Sequence, residues 1–352
     1  SFCADAESPQ RDRLVHWDFP DKTRTSNVKF PSKTGTPISA CNRRESYRNS
    51  IKDLINNRFI LPEFQQGSKI PNSHTAPVLP ELAAKDATGE IAQIYALIEA
   101  ALGVRLVNLV YRHLATVPGA LEWAWYTVGE PFRAGVFAER SKSLRPAVDG
   151  LPGRTVSMAE AGLSAADAGQ VIVTLDAYNR ANPMNALSLR VIALALDAGR
   201  PAAAQRFVAP PPVELPDLLP MASLESVEPA TKALLHRLAR LTSGRDTRVV
   251  PSLFRHFAPW PLLLEQLADW LEEVAGGGSI EAQAARVFDS ADAIARDIFA
   301  SLPAPGANAV LPDPVTRRAL FDTIEVFPPT ICRMIVIAGL LRTALTPDNP
   351  SD

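Results

Sequence analysis

Two Arg-His pairs are the residues of this sequence most suited to acid-base chemistry. Arg112-His113 and Arg255-His256 lie 143 positions apart, and the residues around them are alike. Histidine exchanges protons near neutral pH, so each pair is a candidate for proton transfer. Because a catalytic site rarely needs the same residue from two equivalent positions, we predict that both histidines are structural.

Asn182 and Ser252 are polar side chains for which the sequence leaves two roles open. Asn182 precedes Pro183, an order typical of a helix N-cap followed by proline at the first helical position. It is therefore either a cap alone or a cap that also serves a site. Ser252 is interpreted as a cap or a solvated hydroxyl, with a nucleophile as the alternative. Cys332, in an apolar run, is predicted to be a small buried hydrophobe.

Metal and nucleotide sites are not indicated by the sequence. The three cysteines, Cys3, Cys41 and Cys332, form no CxxC and provide neither a disulfide framework nor a cysteine-based zinc site. No HExxH motif, Walker loop or GxGxxG motif occurs. We therefore expect no metal and no cofactor.

The composition is that of a chain with a large core and little net charge. Of 352 residues, 47% are hydrophobic and 21% are charged, with 36 Lys and Arg against 38 Asp and Glu. This balance gives no reason to expect a nucleic acid or an anionic membrane as partner. We find no run of about 18 apolar residues and no secretory signal within residues 1–20. We therefore expect a cytoplasmic protein that does not span a membrane.

The chain divides into five segments. Residues 1–78 contain five of the eight lysines and show little periodicity, which predicts a poorly ordered extension. Five prolines within Arg200–Pro216 predict an extended linker. The predicted segments are the extension 1–78, a helical unit 79–200, the linker 201–216, a second helical unit 217–345 and a tail 346–352.

The two units are predicted to be helical throughout. Apolar residues recur at spacings of three and four, and strand-like alternation is scarce. Predicted helices begin at Asp86, after Ser164, at Asn182 and at Ser226, and the second of them ends near Asn179. The predicted fold class is therefore all-α.

An internal repeat is the strongest pattern in the chain. Arg105–Pro118 aligns with Arg248–Pro261, and Arg190–Ala195 aligns with Arg333–Ala338 at the same offset of 143. Several matches in the same order predict two related helical units that pack about a pseudo-twofold axis, as a homodimer does. The cleft between the units is the expected place for a ligand.

Four segments resemble the group I 2-haloacid dehalogenases, the DehI family. They are Leu102–Ala124, Tyr178–Pro183, Leu218–Pro220 and Phe254–Pro261. The resemblance implies an all-α intramolecular pseudo-dimer with a deeply knotted chain. It also implies a hydrolase that removes halide from short 2-haloacids, with a small carboxylic acid as ligand and no cofactor; an assembly of two chains is left open. In that family an aspartate activates the water that attacks the α-carbon, an asparagine holds the water, and apolar side chains surround the halogen.

Carried over residue by residue, the resemblance assigns the asparagine to Asn182 and the aspartate position to Leu253. The preceding Ser252 matches the family, but leucine cannot accept a proton. Two aromatic pocket positions are occupied by Leu106 and Leu109. The implied substrate-binding residues are therefore Leu106, Leu109, Ser252 and Leu253.

The absent aspartate leaves two interpretations open. In the first, the chain is a DehI-type hydrolase in which another carboxylate is the base. The offset of 143 makes Glu325 the repeat mate of Asn182 and the candidate for this role. Matching Pro183 to Pro328 instead makes Phe327 the mate and gives Glu325 no special position. In the second interpretation, the chain is a non-catalytic helical scaffold or a protein that binds a small acid.

Overall fold

The computed structural model describes residues 80–144, 155–203, 215–243, 249–275, 278–304 and 309–346. The chain divides into two compact units, Ser1–Asn72 and Ser73–Asp352, and every described residue belongs to the second. The predicted extension 1–78, most of the linker 201–216 and most of the tail 346–352 lie outside the described residues.

The described part of the chain contains eleven α-helices, two short 3-10 helices (Ala84–Asp86 and Ser141–Leu144) and four two-residue strands, which confirms the all-α class. The helices are α1 Gly89–Leu102, α2 Leu109–Leu114, α3 Ala120–Arg133, α4 Val136–Arg140, α5 Ala165–Asp197, α6 Pro229–Ser243, α7 Ser252–His256, α8 Pro261–Ala275, α9 Ser279–Ser301, α10 Pro314–Ile324 and α11 Phe327–Ala344. The strands are β1 Val156–Ser157, β2 Ala202–Ala203, β3 Ala309–Val310 and β4 Leu345–Thr346.

Two helices begin later than the sequence predicts. The α1 helix begins at Gly89 rather than Asp86, because Asp86 ends a short 3-10 helix that precedes it. The α6 helix begins at Pro229 rather than Ser226. Proline suits the first turn of a helix, since its missing N–H would have no intrahelical partner there.

The α5 helix is one helix of 33 residues, where the sequence predicts two. Its start is as predicted, because the Ser164 hydroxyl accepts a hydrogen bond from the Asp167 N–H at 3.1 Å. Pro183 lies inside the helix, so Asn182 is not an N-cap and the predicted capping role is wrong. Proline removes one backbone hydrogen bond, but Pro183 and the residues from Met184 to Ala193 are all buried, and this packing maintains the helix across the proline.

The α5 and α11 helices form the centre of the core and run antiparallel. Asn179 Nδ2 donates to the Ala338 carbonyl at 3.2 Å, and Arg342 Nε lies 2.8 Å from Asp176 Oδ1. The partners occur in opposite order along the two helices, which fixes their relative direction.

Within the described residues, one stretch is long and apolar enough to cross a membrane, although the sequence predicts none. It is Pro314–Ala344, which contains α10 and α11 and has a mean hydropathy of 1.7 in its most apolar window. Within the structure, 61% of that window is buried. Burial of this extent is typical of a helix in the core of a soluble protein.

The order of the elements repeats between the two predicted units. The helices α1, α2 and α3 precede the long α5, and α6, α7 and α8 precede α10 and α11. Backbone contacts of the short helices repeat as well. The Leu82 N–H donates to the Arg112 carbonyl at 3.0 Å, and the Ala222 N–H donates to the Arg255 carbonyl at 3.2 Å. These features support the internal repeat, while the pseudo-twofold superposition and the knot remain predictions.

The short strands join one unit to the other. The β1 strand pairs with β4 in parallel, and β2 pairs with β3 in antiparallel orientation. The β1–β4 pair therefore joins the first predicted unit to the end of the second, and the β2–β3 pair joins the start of the linker to the second unit.

Candidate functional site

A row of buried polar side chains runs along one face of α5. The row consists of Thr174, Tyr178, Asn182, Asn185 and Ser188, none of which is more than 7% exposed. Spacings of three and four residues bring side chains above one another on a helix. Because apolar residues surround α5, these polar groups need hydrogen-bonding partners. We call these five residues the polar row.

The polar row contacts the short helices of both units. Ser188 Oγ lies 2.7 Å from the hydroxyl of Tyr111 in α2. Tyr178 Oη lies 3.1 Å from Nε2 of His256 in α7, and Thr174 Oγ1 accepts a backbone N–H at 3.3 Å. The middle of the row therefore lies between its contacts with α2 and α7, which are equivalent helices of the repeat.

Asn182 and Asn185 occupy the middle of the row. Neither side chain has a hydrogen-bonding partner among the described residues, and both amide atoms of Asn185 are completely buried. An amide offers two donor hydrogens and an acceptor oxygen, so the two side chains together suit a water molecule or a small polar ligand. The resemblance identified Asn182 but not Asn185, for which the three-residue spacing was the available signal.

Tyr178, His256 and Ser252 form a hydrogen-bonded chain. His256 Nδ1 is bonded to the Leu219 carbonyl, which only accepts, so Nδ1 carries the proton and Nε2 is the acceptor. The Tyr178 hydroxyl therefore donates to His256 Nε2 over 3.1 Å. Ser252 makes the second hydrogen bond to Tyr178, and Ser252 is its donor because the phenolic proton is directed to His256.

Burial determines the protonation of this chain. It lowers the pKa of His256 below its ordinary value of 6.5, although the hydrogen bond to the Leu219 carbonyl opposes the change. It raises the pKa of Tyr178, and the hydrogen bond with Ser252 offsets part of the increase. At neutral pH, His256 is therefore a neutral imidazole with its acceptor nitrogen directed at a neutral phenol.

The equivalent histidine makes only one of these contacts. His113 Nδ1 lies 2.8 Å from the Pro80 carbonyl, and its side chain is half-buried. Among the residues that the structure describes, nothing bonds to its Nε2. The bond to a backbone carbonyl agrees with the predicted structural role of His113, whereas the contact with Tyr178 gives His256 a second partner and leaves its role open.

The predicted substrate-binding residues lie on or beside α7 and α2. Ser252 is the first residue of α7 and reaches Tyr178, while Leu253 follows it and is completely buried. Leu106 precedes α2 and Leu109 is its first residue, both half-buried. The structure therefore brings Ser252 to the polar row one turn before Asn182.

Glu325 lies beyond the end of α10, where its N–H donates to the Phe321 carbonyl at 2.9 Å. The antiparallel contact between Asn179 and Ala338 puts Asn182 level with Ile335. Ten residues separate that level from Glu325, which lies before α11 begins at Phe327. This separation favours a base other than Glu325 for a water held by Asn182.

Cys332 is buried and forms no disulfide, and burial raises the pKa of its thiol to about 12. It therefore behaves as the predicted small hydrophobe. Within the described ranges, no group of three or more His, Cys, Asp or Glu residues is arranged to hold a metal ion.

Comparison with known proteins is informative at the level of three-dimensional structure. No protein-family model and no curated protein matches the sequence. A solved structure of a D-2-haloacid dehalogenase mutant is 17% identical, with a TM-score of 0.63 over 78% of this chain and 99% of the other. A mutant in complex with D-2-CPA is 19% identical, with a TM-score of 0.60 over 79% and 99%. The enzyme with L-LA is 18% identical, with a TM-score of 0.60 over 79% and 100%. At these identities the likeness shows the fold, and the chain has the all-α fold of the D-2-haloacid dehalogenases.

Proposed function

We propose that the chain is a DehI-type hydrolase that removes halide from short 2-haloacids. Asn182 holds the water that attacks the α-carbon in this proposal. The observation that carries it is the amide of Asn182, a residue that is only 7% exposed, which has no partner among the described residues and lies one turn from the contact between Tyr178 and Ser252. The likeness in fold supports the same function. The proposed pocket is lined by Leu106, Leu109, Ser252 and Leu253.

The attacking water must lose a proton that Leu253 cannot accept. As the new carbon–oxygen bond forms, the carbon–halogen bond breaks and the halide leaves with its electron pair. We assign the released proton to His256 Nε2, which receives it through Ser252 and Tyr178. A neutral imidazole with its other nitrogen fixed by a carbonyl suits this role. Glu325 is the second candidate, disfavoured by its distance from the polar row.

A non-catalytic protein that binds a small acid in the same cleft is the second candidate function. Leu253 is completely buried at the position where the resemblance requires a carboxylate, and this observation favours loss of the reaction. The two functions share the ligand class and differ in turnover.

Halide release from chloroacetate and from each enantiomer of 2-chloropropionate separates the two functions. For the hydrolase, we expect release to be lost in Asn182→Ala and reduced about 100-fold in His256→Gln. Release that survives in His256→Gln but is lost in Glu325→Gln would assign the base to Glu325 instead. A folded protein that binds these acids and releases no halide supports the binding function.

The substitution Leu253→Asp tests the scaffold directly, with Leu253→Asn as a control of the same size that cannot act as a base. If the cleft is built for water attack, Leu253→Asp should create or increase halide release and Leu253→Asn should not. Inactivity of both the natural chain and a folded Leu253→Asp variant would overturn the hydrolase proposal.

A further inference from the structure

The two Arg-His pairs differ in their charged surroundings. Arg112 Nε and Nη2 lie 2.8 Å and 2.7 Å from Glu81 Oε2. Its remaining terminal nitrogen donates to the Val107 carbonyl at 2.5 Å. The buried guanidinium of Arg112 is therefore neutralised by one carboxylate and bonded through each of its nitrogens.

Arg255 lacks the equivalent carboxylate. The matching backbone bonds of Leu82 and Ala222 make Met221 the counterpart of Glu81 in the second unit. Without an acid at that position, Arg255 Nε donates to the Ala222 carbonyl at 2.9 Å. Its two terminal nitrogens have no hydrogen-bonding or ion-pair partner among the residues that the structure describes.

Arg255 nevertheless lies close to three other polar groups of the site. Burial lowers its pKa, the nearby Arg112 lowers it further, and Glu81 and Tyr178 oppose the change. Two guanidiniums and one carboxylate give this group a net charge of +1 at neutral pH. Glu81 is already paired with Arg112, so one positive charge of this half-buried group is not balanced, and an anion that binds here gains affinity by neutralising it.

We propose that Arg255 binds the carboxylate of a short organic acid beside the polar row. The terminal nitrogens of a guanidinium match the two oxygens of a carboxylate and form paired, charge-assisted hydrogen bonds with it. Tyr178 belongs both to this charged group and to the polar row, so an acid held at Arg255 lies next to the residues assigned to hydrolysis. The identity of the acid rests on the proposed function, whereas the charge imbalance does not.

Substitution of Met221 tests the proposal without removing Arg255. The Met221→Glu variant supplies the carboxylate that the repeat lacks, and Met221→Gln is its uncharged control. Titration calorimetry of the full chain with propionate measures binding without turnover, because propionate carries no halogen. We expect Met221→Glu and Arg255→Gln to weaken propionate binding about 10- to 100-fold. The Met221→Gln variant should bind as the natural chain does, and thermal melting reports whether each variant is folded.

Four outcomes decide against the proposal, and a fifth supports it while ruling out the hydrolase. Equal propionate affinity in Met221→Glu and the natural chain, or no binding by the natural chain at millimolar propionate, overturns it. Chloride that binds at least as tightly and displaces propionate would make this a halide site. If Met221→Glu and Arg255→Gln leave the rate of halide release unchanged, the carboxylate site at Arg255 is ruled out but the hydrolase is not. If propionate binding depends on Arg255 but no halide is released, the carboxylate site is supported and the hydrolase is ruled out.

Discussion

Tyr178 Oη lies 3.1 Å from His256 Nε2, and this hydrogen bond connects the central helix of the first unit to α7 of the second. The two rings meet edge-on, with centroids 5.7 Å apart. At the repeat offset of 143, the counterpart of Tyr178 is Phe321, which has no hydroxyl to donate. One phenolic oxygen therefore makes the surroundings of His256 different from those of His113.

Removing this oxygen should measurably destabilise the fold. We expect Tyr178→Phe to lower the free energy of unfolding by about 1–3 kcal/mol, because the buried Nε2 of His256 loses its donor. The control is Tyr126→Phe, which removes a hydroxyl bonded to Glu90 at an exposed site and should cost less than about 1 kcal/mol. Urea denaturation measures both. Equal decreases in the free energy of unfolding of the two variants would show that the Tyr178–His256 hydrogen bond stabilises the fold no more than the exposed Tyr126–Glu90 bond does.

The stability of the protein should also depend on pH through His256. Its pKa in the folded chain lies below the ordinary value of 6.5 because of burial. Below about pH 6.5 the unfolded state therefore binds more protons than the folded state, and the free energy of unfolding falls as the pH decreases. Above that pH the effect is absent. We expect urea denaturation at a series of pH values to show a steeper decrease for the natural chain than for His256→Gln. Parallel curves would contradict the assignment.

The class of the fold and the order of its helices follow from the sequence because each depends on local spacing. The continuity of α5 does not follow from local spacing. Asn182-Pro183 has the local pattern of a cap and a first turn, and the burial of the turns that follow Pro183 maintains one helix across it. Burial of that kind comes from α9, α10 and α11, which are distant in the sequence.

Because the sequence predicts two helices in place of the continuous α5, it also fails to predict part of the site. With a helix ending at Asn179 and another beginning at Asn182, Tyr178 and Asn185 belong to separate helices and their common face cannot be seen. In the continuous α5 they lie seven residues apart on one face. The absence of an acid at Met221 had no local signal either, since it becomes meaningful only when Arg255 is compared with Arg112.

Superposition of the two units is a prediction for an experimental structure. If the repeat is a duplication packed about a pseudo-twofold axis, 79–200 and 217–345 should superpose with Arg112 on Arg255 and with α2 on α7. The repeated bonds of Leu82 and Ala222 agree with this expectation. A crystal structure in which the two arginines fall at non-equivalent positions would show that the sequence matches do not reflect duplication.

Substitutions of two neighbouring members of the polar row should change the free energy of unfolding in opposite directions. Asn185→Leu replaces a buried amide that has no partner among the described residues with an apolar side chain of similar size. We expect it to raise the free energy of unfolding by about 1–3 kcal/mol. Ser188→Ala removes the partner of the buried Tyr111 hydroxyl and should lower the same quantity by about 1 kcal/mol. Chemical denaturation without added acid measures both variants.

Addition of a short acid then tests whether Asn185 contributes to the cleft. Ligand that binds only the folded state stabilises it in proportion to the logarithm of its concentration over the dissociation constant. If Asn185 contacts the acid or a water bound with it, saturating propionate should stabilise the natural chain more than Asn185→Leu, so that the advantage of the variant shrinks. Ser188→Ala should gain as much from propionate as the natural chain does. A loss of stability in Asn185→Leu without any acid would mean that the amide is already satisfied in the folded protein, and Asn185 would then be a structural residue of α5.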